Sequence, residues 1–149
     1  MMGKLVLASP NSFRKVVPSV ITPNEASILA VGKHTFAHPV IYRVVEWIRR
    51  EVPNISLESP SYCRVESHQD GHDWHKDTGD TNHMAWCVVS GSVLLSEPEK
   101  FTGGWFEFQN PAERYKHYLD LVTYSSDQIH RVTPHEGERL ALLLFLGTE

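Results

Sequence analysis

The sequence predicts an α+β fold that is mainly β, with a β-sandwich or jelly-roll core and N-terminal helices packed on one outer face. Two segments with helical periodicity lie before Pro53, and after it the chain breaks into short apolar runs between clusters of Gly, Pro, Asp and Asn. Helices first and many short strands afterwards are typical of this class. A length of 149 residues with 41% hydrophobic content suits one domain, residues 1–149.

The first helix is predicted within residues 21–32, "ITPNEASILAVG". Thr22 is a typical N-cap, Pro23 suits the first helical position, and Glu25 completes a capping box three residues after the cap. Gly32 is predicted to end this helix.

The second helix is predicted within residues 38–52, where a proline again stands near the start. Its apolar residues form one stripe at helical period: Val40, Ile41, Val44, Val45, Ile48 and Val52. The arginines lie mostly off this stripe, so the stripe is expected to face the core.

Strand-like runs, rich in β-branched, aromatic and aliphatic residues, follow Pro53. They cover residues 56–67, 83–96, 104–109, 118–126, 129–134 and 139–147. A barrel built from such strands has an open mouth and an interior where alternate side chains converge. That interior is the expected place for a small functional site.

Charge and composition argue against several classes of protein. The net charge of −4 counts against a nucleic-acid-binding surface, because such surfaces usually carry a basic stripe. Cys63 and Cys87 are expected to be small, reduced strand residues rather than part of a disulfide framework. The apolar run in residues 1–13 is too short for a signal peptide or a membrane span, so we expect a cytoplasmic protein with no membrane partner.

The segment 71–79, "GHDWHKDTG", carries the strongest chemical signal. His75 and Asp77 are two residues apart, and on a strand such residues point to the same side. An imidazole and a carboxylate from one strand end, with a second imidazole from elsewhere, would form the two-histidine, one-carboxylate face that suits Fe(II).

Three other interpretations of this segment stay open on the residues alone. His68 and Asp70 have the same spacing of two. In a helix, His68, His72 and His75 would share one face, although the glycines and aspartates between them are poor helix-interior residues. A histidine-rich, solvated loop without any site fits this segment about as well as a metal site does.

A distal stretch, residues 129–146, shifts the balance toward a site. It carries His130, a predicted turn at Pro134–Gly137, and Arg139 at the start of an apolar strand. If the two strands form a hairpin about that turn, His130 and Arg139 lie nearly opposite each other and both reach the cavity. A guanidinium there is costly to bury alone but would pair well with a bound dicarboxylate. An arginine in solvent at the hairpin end is the simpler alternative.

Together these residues resemble the iron(II)/2-oxoglutarate-dependent dioxygenases, and most of all their prolyl 4-hydroxylase-like branch. The matching pieces are "GHDWHKD", "FTGGWFEF" and "HRVTPHEGERLALLLFL", in the family's order from about Tyr62 to Leu146. Gly71 stands four residues before His75, as is usual in the family, and this favours the second His-x-Asp pair over the first. The resemblance also implies that the jelly roll is a double-stranded β-helix.

The resemblance implies Fe(II) held by His75, Asp77 and His130, with 2-oxoglutarate and O2 as cosubstrates and ascorbate as an optional addition. Arg139 would pair with the C5 carboxylate of 2-oxoglutarate, whose oxidative decarboxylation would drive hydroxylation of a C–H bond. Because the third ligand is a carboxylate, hydroxylation is expected rather than halogenation.

Other residues near the motifs receive structural interpretations. Trp74, Trp86 and Trp105 are expected to pack in the core, with substrate stacking as the alternative. Three further histidines are expected at the surface or next to a ligand: His72, His83 and His135. The tyrosine that the family often places about ten residues before its first ligand is missing, and Tyr62 is the nearest one upstream.

The substrate is expected to be a prolyl or similar residue in a flexible peptide, on the resemblance and on three segments predicted to form loops at the mouth of the barrel. These segments are residues 68–83, 96–102 and 110–117. Their charged and aromatic residues suit an extended peptide that pairs with a strand edge. Two alternatives stay open: a dioxygenase that acts on a small metabolite or a nucleobase, and a non-catalytic, cupin-like metal-binding barrel. Arg139 counts against the plain barrel, which has no need of it.

Overall fold

The computed structural model describes residues 13–79 and 83–149, which form two main β-sheets with two helices against the outer side of the larger sheet. Residues 1–12, where the sequence predicts no signal peptide, and residues 80–82 of the histidine-rich segment lie outside the described residues. No helix in the described part is long and apolar enough to cross a membrane.

Both predicted helices form where their caps and apolar stripes indicate. Helix α1 (Pro23–Leu29) begins with the predicted capping box: the Thr22 hydroxyl accepts the Glu25 N–H, and the Glu25 carboxylate accepts the Thr22 N–H. Helix α2 (Pro39–Arg49) has His38 as its N-cap. The buried residues of α2 all belong to the predicted stripe: Ile41, Val44, Val45 and Ile48.

The strands, in chain order, are β1 (Arg14–Val17), β2 (Ile55–Ser56), β3 (Tyr62–Glu66), β4 (His72–His75), β5 (Val89–Leu94), β6 (Phe101–Gly103), β7 (Phe106–Gln109), β8 (Ala112–Tyr115), β9 (Leu121–Ser125), β10 (His130–Val132), β11 (His135–Gly137) and β12 (Ala141–Thr148). Every predicted run contains at least part of a strand. Strands β1, β6, β8 and β11 were not predicted, because each has four residues or fewer and shows no run of more than two apolar residues.

The strands pair in two antiparallel sheets. The major sheet has the order β1-β9-β5-β12-β2, and β3 also pairs with β12. The minor sheet has the order β4-β10-β7-β8, and β6 and β11 form a separate two-stranded ribbon. This mainly β architecture, with the helices on one face, confirms the predicted fold class.

Strand β12 separates the hydrophobic core from the space between the sheets. Leu142, Leu144 and Leu146 are fully buried in the core that includes the apolar stripe of α2. The alternate residues Leu143 and Phe145 face the cavity between the sheets. Because successive strand residues point to opposite faces, the helices cover the outer face and leave the inner face for a site.

The predicted hairpin about Pro134–Gly137 is wrong. Residues 135–137 form β11, which pairs with β6, while β10 pairs with β4 and β7 in the minor sheet. Strand β12 pairs instead with β5, β3 and β2. The chain therefore crosses from the minor to the major sheet between His130 and Arg139, and the two residues are not cross-strand neighbours.

Replacing Ile48 with alanine should lower the free energy of unfolding by about 2–5 kcal/mol, because it leaves a cavity under α2. Ile48 is fully buried, whereas Ile28 on α1 is 50% exposed and provides the matched control, with an expected change of about 0.5 kcal/mol or less. Urea denaturation followed by circular dichroism measures both. Equal losses for the two variants would contradict the packing of α2 on the major sheet.

Candidate metal centre

A cavity of about 160 Å³ lies between the inner faces of the two sheets. His75, Asp77, His130 and Arg139 all lie on its wall. The structure therefore brings the four site residues predicted from the sequence into one place, although the predicted hairpin does not form.

Two imidazoles and one carboxylate meet at one point of this wall. A nitrogen of His75, a nitrogen of His130 and an oxygen of Asp77 all lie within 4.8 Å of one another. Oδ1 of Asp77 is 3.2 Å from Nε2 of His130 and 3.5 Å from Nε2 of His75. The strand register explains this, because His75 and His130 are directly paired between β4 and β10.

Both imidazoles are oriented by the backbone. Nδ1 of His75 lies 2.6 Å from the Asp73 carbonyl oxygen, and Nδ1 of His130 lies 2.9 Å from the Gln128 carbonyl oxygen. A carbonyl oxygen only accepts, so each Nδ1 carries a hydrogen and the neutral ring has its lone pair on Nε2. Two nitrogen lone pairs and a carboxylate oxygen thus face one another, an arrangement that a cation stabilises.

Asp77 lies two residues beyond the end of β4 and is held by the other sheet. Its N–H donates to the carbonyl of Ser126 at 2.9 Å, and its Oδ2 accepts the hydroxyl of Tyr124 at 2.9 Å. Burial alone would raise the pKa of Asp77, but the imidazoles of His130 and His75, which donate to its carboxylate whenever Nε2 carries a hydrogen in the metal-free site, outweigh burial and hold this pKa far below its ordinary value. The carboxylate is therefore charged at neutral pH.

A β-bulge in β4 places His72 on the same wall. His75 pairs with His130 and His72 pairs with Val132, so β4 has one residue more than β10 between these pairs. The bulge lets residues three apart face the same side. Nε2 of His72 lies 2.8 Å from a carboxylate oxygen of Glu66 on β3, which also borders the cavity.

Arg139 is a buried cation on the cavity wall. It is 7% exposed, and its Nε donates to the carbonyl of Gly104 at 2.9 Å. No carboxylate of the described residues lies within ion-pair distance of it. Burial lowers the pKa of Arg139 to about 10, so it is still charged at neutral pH. The solvent-exposed alternative for Arg139 is wrong.

Gly104, in the "FTGGWFEF" motif, makes room for this arginine. A Cβ at position 104 would lie 2.7 Å from Cδ of Arg139 and 3.0 Å from the ring of Phe101. Its φ of 65° also favours glycine. The motif therefore contributes both the space and the carbonyl that position the guanidinium.

The competing interpretations of the histidine-rich segment do not agree with the structure. His68 and Asp70 are exposed and do not belong to the three-residue cluster. Residues 72–75 form a strand, so the helical face shared by His68, His72 and His75 does not exist. The assignment of metal-ligand roles to His75 and Asp77 stays a prediction.

The three tryptophans near the motifs, Trp74, Trp86 and Trp105, do not lie in the buried core. Trp74 is half-buried with the guanidinium of Arg131 at 4.3 Å from its ring centroid, and Trp105 is half-buried with that of Arg114 at 3.9 Å. Trp86 is half-buried beside Tyr62, which lines the cavity. The prediction of core packing for these residues is therefore wrong.

The predictions for the remaining histidines have different outcomes. His83 is exposed, as predicted. His135 was predicted at the surface or next to a ligand; it is buried on β11, where its Nδ1 lies 3.2 Å from the Gly137 carbonyl oxygen, so the surface alternative is wrong, and it does not lie on the cavity wall. Its burial follows from the unpredicted ribbon of β6 and β11.

Two of the three predicted mouth loops do not border the cavity. Residues 96–102 and 110–117 contribute no side chain to its wall, and residues 112–115 form β8 rather than a loop. The first segment, residues 68–83, does border it through β4 and Asp77, with residues 80–82 outside the described part.

Sequence reasoning missed several residues of the cavity wall. Arg64 and Glu66 on β3 and Tyr124 on β9 all face it. Strand alternation puts Arg64 and Glu66 on one face, together with Tyr62. Which face of β3 or β9 looks into the cavity depends on sheet packing, for which the sequence has no local signal.

A scan against known protein families and a search of curated proteins both find no match. Among solved structures, the chain is similar to a viral collagen prolyl hydroxylase from Paramecium bursaria Chlorella virus-1 in complex with 2OG, at a TM-score of 0.66 and 11% identity over 91% of this chain and 96% of that one. It is also similar to a prolyl-4-hydroxylase from Pseudomonas putida, at a TM-score of 0.67 and 12% identity over 93% of this chain and 94% of that one.

A third similar structure is a prolyl hydroxylase from Trichoplax adhaerens in complex with a peptide fragment of the hypoxia inducible factor oxygen degradation domain. Its TM-score is 0.64 at 12% identity, over 93% of this chain and 84% of that one. Because the identities are low, these similarities establish the fold and nothing finer. They confirm the family resemblance as far as the fold is concerned, and with it the double-stranded β-helix.

Proposed function

We propose that the chain is a single-domain, Fe(II)- and 2-oxoglutarate-dependent dioxygenase that hydroxylates a C–H bond. One observation carries this proposal: two oriented imidazoles and a buried carboxylate meet on the wall of a cavity that also contains the buried guanidinium of Arg139. A cupin-like metal barrel would account for the first half of this arrangement but not for the arginine. The fold shared with prolyl hydroxylases supports the same function.

The donor set fits Fe(II). Nε2 of His75, Nε2 of His130 and Oδ1 of Asp77 form the two-histidine, one-carboxylate set that non-haem Fe(II) oxygenases use. When bound, Fe(II), 2-oxoglutarate and O2, with ascorbate as an optional addition, supply the oxidising chemistry of the hydroxylation.

Arg139 would hold the C5 carboxylate of 2-oxoglutarate. A buried guanidinium is costly when no carboxylate pairs with it, as is the case for Arg139 among the residues the structure describes, and a bound dicarboxylate would supply that partner. The apolar side chains of Phe106, Leu143 and Phe145 line the same cavity and would exclude water from the bound cosubstrate.

We propose a prolyl or similar residue in a peptide as the substrate. Within the described residues β4 pairs only with β10, so its other edge is open beside His75 for an extended chain. Tyr62 and Phe145, with ring centroids 5.1 Å apart, add an aromatic wall. The relative from Trichoplax adhaerens, solved with a peptide, supports this choice.

A small metabolite is the second candidate, and one ion pair favours it. Arg64 and Glu66 lie on the same wall of the cavity, 2.8 Å apart. Such a pair would match the carboxylate and the ammonium of a free amino acid.

Two further parts of the proposal rest on composition. The net charge of −4 counts against a nucleic-acid substrate. The two free cysteines support a cytoplasmic location.

The wild-type protein should bind one Mn(II) ion per chain, because the ligand set accepts similar divalent ions, and His75→Ala should abolish measurable binding. Isothermal titration calorimetry under conditions that exclude oxidation measures the affinity. His68→Ala is the matched control, since His68 is exposed outside the cluster. Loss of binding in His68→Ala together with full binding in His75→Ala would show that the wrong His-x-Asp pair has been chosen.

2-Oxoglutarate should raise the melting temperature of the Mn(II)-loaded protein, and Arg139→Ala should remove that increase. Loss of a buried, charge-assisted pair costs about 2–5 kcal/mol of binding. Arg131→Ala is the control, because Arg131 stacks on Trp74 and pairs with Glu107. Unchanged 2-oxoglutarate affinity in Arg139→Ala would favour the plain metal-binding barrel.

Proline-rich peptides should increase succinate release and gain about 16 Da, the mass of one oxygen atom. A mass-spectrometric turnover screen of peptides, free amino acids and nucleosides measures this, with Arg139→Ala protein as the inactive control. Oxygen gain only in free amino acids would reject the peptide substrate and establish the small-metabolite candidate.

A further inference from the structure

We propose that Tyr124 is a positioning residue that holds the Asp77 carboxylate by one oxygen and leaves the other to face the metal. The inference rests on the proposed function, because it concerns the ligand set described above. Tyr124 lines the same cavity from strand β9 of the major sheet.

The two oxygens of the Asp77 carboxylate have different neighbours. Oδ2 is 2.9 Å from the Tyr124 hydroxyl, whereas Oδ1 is the oxygen closest to the Nε2 atoms of His130 and His75. The hydroxyl also lies 3.4 Å from Nε2 of His130. It has a single hydrogen, and the shorter contact to a charged acceptor determines where that hydrogen goes. Oδ2 is therefore engaged by Tyr124, and Oδ1 is the oxygen that contacts the imidazole nitrogens.

The hydroxyl of Tyr124 is held rigidly. The side chain is 3% exposed, and its ring packs nearly perpendicular to the rings of Phe106 and Phe108, with centroids 5.7 Å and 5.1 Å away. Its backbone is paired on both sides, with Arg14 of β1 and with Ser90 of β5. A donor fixed in this way can fix its acceptor.

Contacts from the major sheet position Asp77 because this residue is not part of a strand of the minor sheet. It lies past the end of β4, and its backbone N–H is bound to Ser126, next to β9. Each imidazole is held in its rotation by a hydrogen bond to a backbone carbonyl. The carboxylate of Asp77 is held in its rotation by the hydrogen bond from the Tyr124 hydroxyl.

The expected consequence is a carboxylate that binds through one oxygen only. A free carboxylate is able to rotate and use both oxygens, which would take up coordination space that a chelating cosubstrate needs. With Oδ2 bound to Tyr124, Oδ1 would be the oxygen available to the metal, beside Nε2 of His75 and Nε2 of His130.

The test is Tyr124→Phe, which removes the hydroxyl and keeps the ring between its two phenylalanine neighbours. Mn(II) affinity, measured by titration calorimetry, should fall about 10- to 100-fold, as is usual when a residue that orients a ligand is lost. Tyr115→Phe is the matched control, because its hydroxyl donates to the exposed Glu113 at 2.8 Å, away from the ligand cluster. Its affinity should equal that of the wild type.

A second measurement separates positioning from folding. The absorption spectrum of the Co(II)-loaded protein reports coordination number, so it should change in Tyr124→Phe and not in Tyr115→Phe. The metal-free forms of all three proteins should melt cooperatively within a few degrees of one another, since the ring packing is conserved.

The outcomes distinguish this inference from the proposed function. Metal binding by the wild type with weaker binding and an altered Co(II) spectrum in Tyr124→Phe supports both. Metal binding by the wild type with unchanged affinity and spectrum in Tyr124→Phe overturns the role of Tyr124 and leaves the proposed function standing. A wild-type protein that binds no metal overturns both.

Discussion

The attachment of Asp77 to the end of strand β9 joins the two halves of the site. Its N–H is bound to the Ser126 carbonyl and its Oδ2 to the Tyr124 hydroxyl, both at 2.9 Å. The imidazoles of His75 and His130 belong to strands β4 and β10 of the minor sheet, whereas β9 belongs to the major sheet. The distance between the sheets therefore determines how closely the carboxylate approaches the imidazoles, and the packing of the whole domain determines the geometry of the ligand cluster.

This arrangement buries charged and polar groups, which is costly. Asp77 is 6% exposed, His130 is 4% exposed and Arg139 is 7% exposed. Burial of such groups is tolerated only with partners, and the imidazoles and the Tyr124 hydroxyl provide them for Asp77. The core between the helices and the outer face of the major sheet offsets the cost, because its cluster of buried aliphatic side chains gains from burial without polar partners.

The fold and the function rest on different observations. The similar prolyl hydroxylases superpose on this chain with TM-scores of 0.64–0.67, which establishes a common fold, but at 11–12% identity they do not establish a common substrate. The case for the proposed oxidative chemistry comes from the side chains themselves. Three residues that could hold a metal ion share one cavity with an arginine that has no carboxylate of the described residues within ion-pair distance. The choice between a peptide and a small metabolite depends on two features of the cavity wall, the open edge of β4 and the pair of Arg64 and Glu66.

The sequence by itself determined the features that depend on neighbouring residues. The capping box of α1, the buried stripe of α2 and the general positions of the main strands follow from local periodicity and local hydrogen bonding. The spacing of His75 and Asp77 and the family resemblance were enough to select the four residues that the cavity brings together. Local patterns suffice here because their periods are set within a few residues of chain.

Only the tertiary structure decided how these segments meet. The sequence predicted a hairpin that joins His130 to Arg139, whereas the chain crosses from one sheet to the other between them. It also had no signal that Tyr124 reaches Asp77, a partner 47 residues away. Strand pairing and sheet packing join residues that are far apart in the chain, and their register is set by the whole core rather than by any short segment.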